Sequence, residues 1–154
     1  YGLVGSEMCI RDRIDGYFAT YPHIKEYIAE AIEKARSDGY VTTIMGRKRM
    51  LPEINSRNAV VRGYAERNAV NAPIQGSAAD IIKLAMVNIA RNFEQEGLKS
   101  RMIMQVHDEL IFNVVPEELE RVQAIVTSDM MNAYHGRVPL IVSSGVGSNW
   151  LEAH

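Results

Sequence analysis

The residues best suited to chemistry are two adjacent carboxylates, Asp108 and Glu109, which follow His107 and lie between two apolar runs. Residues 101–104 lead into them and residues 110–115 lead out. This pattern predicts a strand, a tight turn and a second strand, with the acids at the tip. Carboxylate oxygens are preferred ligands of Mg²⁺, and a hairpin with packed strands would hold them with little positional freedom. The pattern therefore indicates a magnesium site for phosphoryl transfer.

A solvated polar turn is the alternative interpretation of the same residues, because polar side chains are common in hairpin turns. The turn has no Asn-Gly or Asp-Gly pair, and we expect no residue of the His-Asp-Glu run to need a positive φ. A zinc-protease helix is excluded, since no second histidine stands four residues after His107. From this segment alone, the metal site and the solvated turn both stay open.

A second set of polar residues, Arg67, Asn71 and Gln75, is spaced four residues apart, so on a helix all three share one stripe. Each side chain can donate hydrogen bonds, and the minor groove of DNA offers acceptors that every base pair shares. Such a stripe is suited to sensing correct pairing without reading sequence, although a solvated helix face is the alternative. Pro73 either begins a new helix within the stripe or kinks a continuous one.

Apolar periodicity, glycine and proline predict the elements that carry these residues. We expect helices over about residues 14–38, 56–68, 73–96 and 116–134, extended segments at 40–44 and 138–146, and the hairpin between the last two helices. Pro22 belongs to a first helical turn, Gly39 to a helix C-cap, and Trp150 to a C-terminal packing contact. The helix over 73–96 should bury an apolar face formed by Ile74, Ala78, Ile81, Ala85, Ile89 and Phe93. The chain is thus α+β, with an antiparallel sheet packed against long helices.

Charge is unevenly distributed along the 154 residues, although the net formal charge is only -2. Six basic residues and two glutamates lie between positions 47 and 67, beginning with Arg47, Lys48 and Arg49. Phosphate contacts need local rather than global positive charge, so this segment is the expected electrostatic contact with nucleic acid. No apolar run approaches the ~20 residues of a membrane span. The single cysteine, Cys9, excludes an internal disulfide, and an intracellular protein is expected.

The order of these segments closely resembles the C-terminal part of the bacterial family A DNA polymerases. The resemblance covers residues 67–82 and 105–110, together with 39–43, 46–49, 51–54, 137–140, Gly145 and Trp150. It implies that Asp108 is the second catalytic aspartate, a ligand of the Mg²⁺ ions between the primer 3′ hydroxyl and the incoming triphosphate. It also implies that Glu109 is an auxiliary carboxylate and that His107 contacts the primer terminus. Arg67, Asn71 and Gln75 would touch the minor groove near the new base pair.

The resemblance further implies a palm-type antiparallel sheet whose hairpin bears the acidic site. Its partners would be primer-template DNA and, in the full-length parent, deoxynucleoside triphosphates. A monomer in the bacterial cytoplasm, associated with the nucleoid and not with a membrane, is the corresponding expectation.

The family's first catalytic aspartate motif and most of its fingers helix have no counterpart in this sequence. We therefore expect residues 14–154 to be the C-terminal part of a polymerase domain that is incomplete as a catalyst alone. Residues 1–13 do not fit the family pattern and are expected to be a junction segment. A noncatalytic module that binds duplex DNA is the alternative function. A metal-dependent nuclease has little support, because no further acidic cluster completes its site.

Overall fold

The computed structural model describes residues 16–153, so the predicted junction over residues 1–13 lies outside the described part of the chain. The chain divides into two compact units, Tyr1–Gln75 and Gly76–His154. In order, the elements are α1 (Pro22–Asp38), β1 (Tyr40–Thr42), β2 (Lys48–Met50), α2 (Ala59–Gln95), β3 (Arg101–Val106), β4 (Glu109–Asn113), a 3-10 turn (Pro116–Glu118), α3 (Leu119–Met131) and α4 (Trp150–Ala153). Long helices with antiparallel hairpins confirm the α+β prediction. Among residues 16–153, no helix has the length and apolar character to cross a membrane.

Helix α1 begins and ends where proline and glycine predict. Pro22 occupies its first turn, and Gly39, at φ 76°, ends it by donating its N–H to the carbonyl of Ala35. The prediction of one helix over 14–38 is wrong at Tyr21, because the residue before a proline is forced out of the helical region. Residues 16–20 form a separate helical segment.

A short hairpin, β1 with β2, follows α1 and completes the core of the first unit. Tyr40 pairs with Met50 and Thr42 with Lys48. Strand β2 was not predicted, because its three residues are all exposed and show no apolar alternation. Val41 and Leu51 are buried in a cluster with Ala35, Ile54, Ala65, Ala69 and Ala72.

Helix α2 is one element of 37 residues that contains Pro73. Of the two alternatives for Pro73, the continuous helix is correct, and the bounds of two helices over 56–68 and 73–96 are wrong. It begins at Ala59 because the side-chain oxygen of Asn58 accepts the N–H groups of Val60 and Val61, at 3.0 and 3.4 Å. Proline removes one N–H from the helical ladder, and its ring crowds the carbonyl four residues earlier. Burial of Ala69 and Ala72 just before Pro73 offsets that loss.

The core of the second unit lies between the end of α2, the β3–β4 hairpin and α3. Ile89 and Phe93 of α2 are buried against Val122 and Ile125 of α3. The predicted apolar face is confirmed at Ala85, Ile89 and Phe93, which are all buried. It is wrong at Ile74, which is 57% exposed, and at Ala78, which is also exposed.

The C-terminal predictions are partly wrong. Residues 138–146 form no strand, and Val138 and Ile141 are 78% and 90% exposed. A strand needs a neighbour for its backbone N–H and C=O groups, and each sheet in the described chain has only two strands. Trp150, at the start of α4, is 48% exposed, so it is half-covered and not the buried packing anchor that was predicted. The helix predicted over 116–134 divides into the 3-10 turn and α3.

Candidate catalytic hairpin and candidate nucleic-acid-binding surface

The acidic hairpin of the second unit has a turn of two residues, His107 and Asp108. Val106 pairs with Glu109, so Glu109 begins β4 and does not lie at the tip as predicted. Asp108 is exposed at the tip, whereas Glu109 is partly buried. The hairpin itself and an exposed Asp108 confirm the predicted geometry, and they present a carboxylate on a short turn between paired strands.

The turn requires a left-handed residue, and that residue is His107 at φ 53°. The expectation of no positive φ is therefore wrong. Two-residue hairpin turns need positive φ to match the twist of their strands, and histidine enters this region more readily than most residues. The side-chain amide of Gln105 donates a hydrogen bond of 3.0 Å to the carbonyl of His107, which fixes the turn from within the hairpin.

A bulge at Ile103 divides the hairpin into a base and a tip. Met102 pairs with Phe112 below the bulge, and Met104 pairs with Ile111 above it. Met102, Leu110 and Phe112 pack against the core of the second unit, where the Phe112 ring lies 5.9 Å from that of Phe93. The hairpin is thus held on one face by apolar packing.

The base of the hairpin is closed by the carboxylate of Glu118 in the 3-10 turn. It accepts the N–H groups of Lys99 and Ser100, at 3.0 and 2.9 Å, and the Ser100 hydroxyl at 2.6 Å. These bonds, the first of them from Lys99, hold the pKa of the Glu118 carboxyl below its usual value. Sequence reasoning missed Glu118, since an acid after Pro116 also suits the positive end of a helix.

The carboxylates of Asp108 and Glu109 carry oxygen ligands of the kind that Mg²⁺ prefers. Mg²⁺ is commonly bound through one or two carboxylates, with water and substrate phosphates filling the remaining positions. Over residues 16–153, no three His, Cys, Asp or Glu side chains converge on one point. Asp108 and Glu109 alone could supply two carboxylate ligands, a number that Mg²⁺ commonly takes from a protein.

In the first unit, the stripe of Arg67, Asn71 and Gln75 lies along α2, and all three residues are exposed. The opposite side of the helix carries the buried Ala65, Ala69 and Ala72. The predicted stripe is thus an exposed row of donors on a helix anchored by its other face.

An aromatic ring extends the stripe at its N-terminal end. Arg67 Cζ lies 5.9 Å from the centre of the Tyr64 ring, which is 63% exposed. This contact orients the guanidinium without neutralising its charge.

The predicted basic segment is exposed where it forms the β1–β2 hairpin. Arg47, Lys48 and Arg49 are all exposed, and Lys48 Nζ lies 4.4 Å from the centre of the Tyr40 ring. The turn before them contains Gly46 at φ 79°. The cations thus project from a short hairpin of the first unit.

Not every cation in the predicted segment is available to a ligand. Arg62 lies 3.7 Å from Glu66 and donates a 3.0 Å hydrogen bond to the carbonyl of Ser56. Glu66 also accepts a hydrogen bond of 2.7 Å from Arg36. Arg62 is therefore held within the fold, whereas Arg47, Lys48 and Arg49 of the hairpin, together with Arg57 and Arg67, are exposed.

Comparison with known proteins gives one consistent family. Residues 6–152 match the pattern of DNA polymerase family A. The chain is 50% identical over 139 residues to DNA polymerase I of Mycobacterium tuberculosis and 47% identical over 140 residues to that of Geobacillus stearothermophilus. These matches cover 90% and 91% of the chain, but the chain spans only 15% and 16% of the two relatives.

A solved structure gives the same result. The fold is similar to the polymerase domain of Pol1 from M. smegmatis, whose structure is a complex with a DNA primer-template and dNTP. The TM-score is 0.94 at 45% identity, and the match covers 97% of this chain and 26% of that one.

Proposed function

Because the chain belongs to DNA polymerase family A, we propose that it forms part of a template-directed DNA polymerase. Such an enzyme adds deoxynucleotides to a primer 3′ end and releases pyrophosphate. The observation that carries the proposal is the acidic hairpin, packed on one face, with Asp108 exposed at its two-residue turn. A polymerase built on this chain would act as a monomer in the bacterial cytoplasm, associated with the nucleoid.

At the hairpin, we assign Asp108 and Glu109 to binding Mg²⁺. Bound Mg²⁺ would supply charge neutralisation at the triphosphate and a more acidic attacking hydroxyl. The chain itself would position the two carboxylates. The packed strands and the Gln105 hydrogen bond to His107 hold them in one geometry. His107, exposed next to Asp108, is assigned to contact with the primer terminus.

On the first unit, we assign the stripe of Arg67, Asn71 and Gln75 to the minor groove of the primer-template duplex. Their donors match the acceptors that all base pairs present there, so a mispair would be sensed by displaced acceptors. Arg47, Lys48 and Arg49 would contact phosphates, where charge matters more than exact position.

A noncatalytic duplex-binding module is the second candidate. It is favoured by the finding that residues 16–153 bring no three metal-binding side chains together. It predicts that the chain binds DNA through its basic residues while its carboxylates have no effect on any reaction.

A chimera distinguishes the two candidates. The residues of the G. stearothermophilus polymerase that match this chain are exchanged for the corresponding residues of this chain, and primer extension is measured. We expect the chimera to extend primers and Asp108→Ala to reduce extension by about 100-fold or more, with duplex binding retained. Asp38→Ala, which removes an exposed aspartate from the end of α1, is the matched control.

Two results would contradict the proposal. Extension by the Asp108→Ala chimera at the unaltered rate would remove the catalytic assignment. Duplex binding without extension by the unaltered, folded chimera would favour the noncatalytic module.

A further inference from the structure

We propose that Glu118 is a positioning residue for the acidic hairpin, holding the hairpin base so that Asp108 at the tip and Glu109 beside it keep one position. The effect on catalysis rests on the proposed polymerase function, whereas the effect on the hairpin does not. The residue itself lies outside the hairpin, in the 3-10 turn that follows β4.

The hydrogen bonds around Glu118 join the two ends of the hairpin. Lys99 and Ser100, which immediately precede β3, donate their N–H groups to the carboxylate. The Ser100 hydroxyl donates to the same carboxylate at 2.6 Å and accepts the N–H of Val115 at 2.9 Å. Val115 follows β4 by two residues, so one carboxylate and one hydroxyl connect the entry and the exit of the hairpin.

The direction of these bonds makes the carboxylate hard to replace. The Ser100 hydroxyl has a single proton, and it is donated to Glu118 while the oxygen accepts from Val115. Ser100 is only 3% exposed, so its N–H and hydroxyl would have little access to water if they lost the carboxylate. A glutamine at position 118 would keep one acceptor oxygen but lose the charge that strengthens these bonds.

The bulge at Ile103 explains why the base needs this support. The bulge interrupts the ladder between the base pairs, such as Met102 with Phe112, and the tip pairs, such as Met104 with Ile111. Below the bulge the base keeps only two residue pairs, Arg101 with Asn113 and Met102 with Phe112, so it has few ladder hydrogen bonds of its own. Loosening of this short base would let the tip shift and displace Asp108 from its reacting position without unfolding the core of the second unit.

The experiment uses the chimera with Glu118→Gln, Glu118→Ala and Ser100→Ala, and with Glu117→Gln as the matched control. Glu117 is the adjacent exposed glutamate and accepts none of these hydrogen bonds. We expect kcat to fall about 10-fold in Glu118→Gln and about 100-fold in Glu118→Ala, since displacements near 1 Å have effects of this size. We expect the kcat of Ser100→Ala to lie between those of the control and of Glu118→Ala. In all of these variants, KM for dNTP and duplex affinity should change less than about twofold.

Hydrogen exchange separates positioning from general stability. Amides of residues 101–113 should exchange faster in the Glu118 variants, while the amides of α3 and of the second half of α2 keep their rates. Faster exchange throughout the second unit, or unchanged kcat with unchanged hairpin exchange, would overturn the proposal. If Asp108→Ala is fully active while hairpin exchange still responds to Glu118→Gln, the polymerase function fails and the structural inference stands.

Discussion

The two hairpins of this chain carry opposite charges and are built in opposite ways. The basic hairpin, β1–β2, has three residue pairs, and every residue of β2 is exposed. The acidic hairpin, β3–β4, has longer strands, packs Met102, Leu110 and Phe112 into a core, and is tied at its base by Glu118. Contact with a phosphate backbone tolerates small displacements, whereas metal ligands must be held within fractions of an ångström. The difference in construction thus follows the precision that each proposed task requires.

Truncation of an apolar side chain should destabilise the chain far more in the acidic hairpin than in the basic one, and this is the largest expected difference. We expect Phe112→Ala to destabilise the 154-residue chain by about 3 kcal/mol, because it removes a ring packed between β4 and α2. Met50→Ala on β2, where the side chain is 66% exposed, should change stability by less than about 0.5 kcal/mol. Urea unfolding followed by circular dichroism measures both. Equal losses would mean that the acidic hairpin is not anchored by its core face.

Removal of positive charge tests the basic hairpin through its binding of DNA and not through the stability of the chain. Replacing Arg47, Lys48 and Arg49 together with alanine should weaken duplex binding by the 154-residue chain about tenfold or more at low salt. The slope of log affinity against log salt should become shallower by about three, because each lost phosphate contact accounts for ~0.9 of the slope. Fluorescence anisotropy with a labelled primer-template measures this. Arg91→Ala, an exposed arginine of the second unit, is the control and should leave the slope almost unchanged.

The turns of the two hairpins can also be compared, since each contains one residue with positive φ. The expected effects on stability are smaller. Gly46→Ala should cost about 1 kcal/mol, because a side chain is disfavoured at φ 79° although there is space for its Cβ. His107→Gly should relieve that conformational penalty at the acidic tip and leave stability unchanged or slightly higher. Thermal unfolding of both variants checks the signs. A large loss in His107→Gly would show that the imidazole itself holds the turn.

The smallest expected effect is the pH dependence of the hairpin base. The pKa of Glu118 is lowered in the folded chain, so its contribution to stability is present above the unfolded pKa and is lost as pH falls through the folded one. The stability difference between the unaltered chain and Glu118→Gln should therefore be full at pH 7 and shrink below about pH 4.5. Urea unfolding between pH 7 and pH 3 measures it. A difference independent of pH would contradict a charged role for Glu118, and Glu117→Gln provides the baseline.

Local pattern was sufficient for the parts of the fold that depend on neighbouring residues. The acidic hairpin, the Gly39 cap and the exposed stripe on α2 all follow from spacing, capping and turn chemistry. Pro73 misled the prediction because sequence shows the missing N–H but not the buried alanines that keep α2 continuous. The strand expected over residues 138–146 required a neighbouring strand, which no local pattern reveals.

The supporting residues of the site were less predictable than its acids. Glu117 and Glu118 are identical neighbours in the sequence, yet only Glu118 binds the Lys99–Ser100 segment. The left-handed conformation of His107 could have been predicted, since a two-residue hairpin turn requires positive φ and histidine accepts it more readily than most residues. The role of Glu118, in contrast, depends on a contact with residues 18 and 19 positions earlier in the chain.

The brevity of the His107–Asp108 turn sets what kinds of sequence change this hairpin can absorb. Position 107 must accept a positive φ, so glycine, asparagine or aspartate should replace His107 more readily than a β-branched residue. A residue inserted between Val106 and Glu109 would make a three-residue loop, which can keep the strand pairing but changes the direction in which Asp108 is presented. Insertion at this tip should therefore alter the site before it alters the fold.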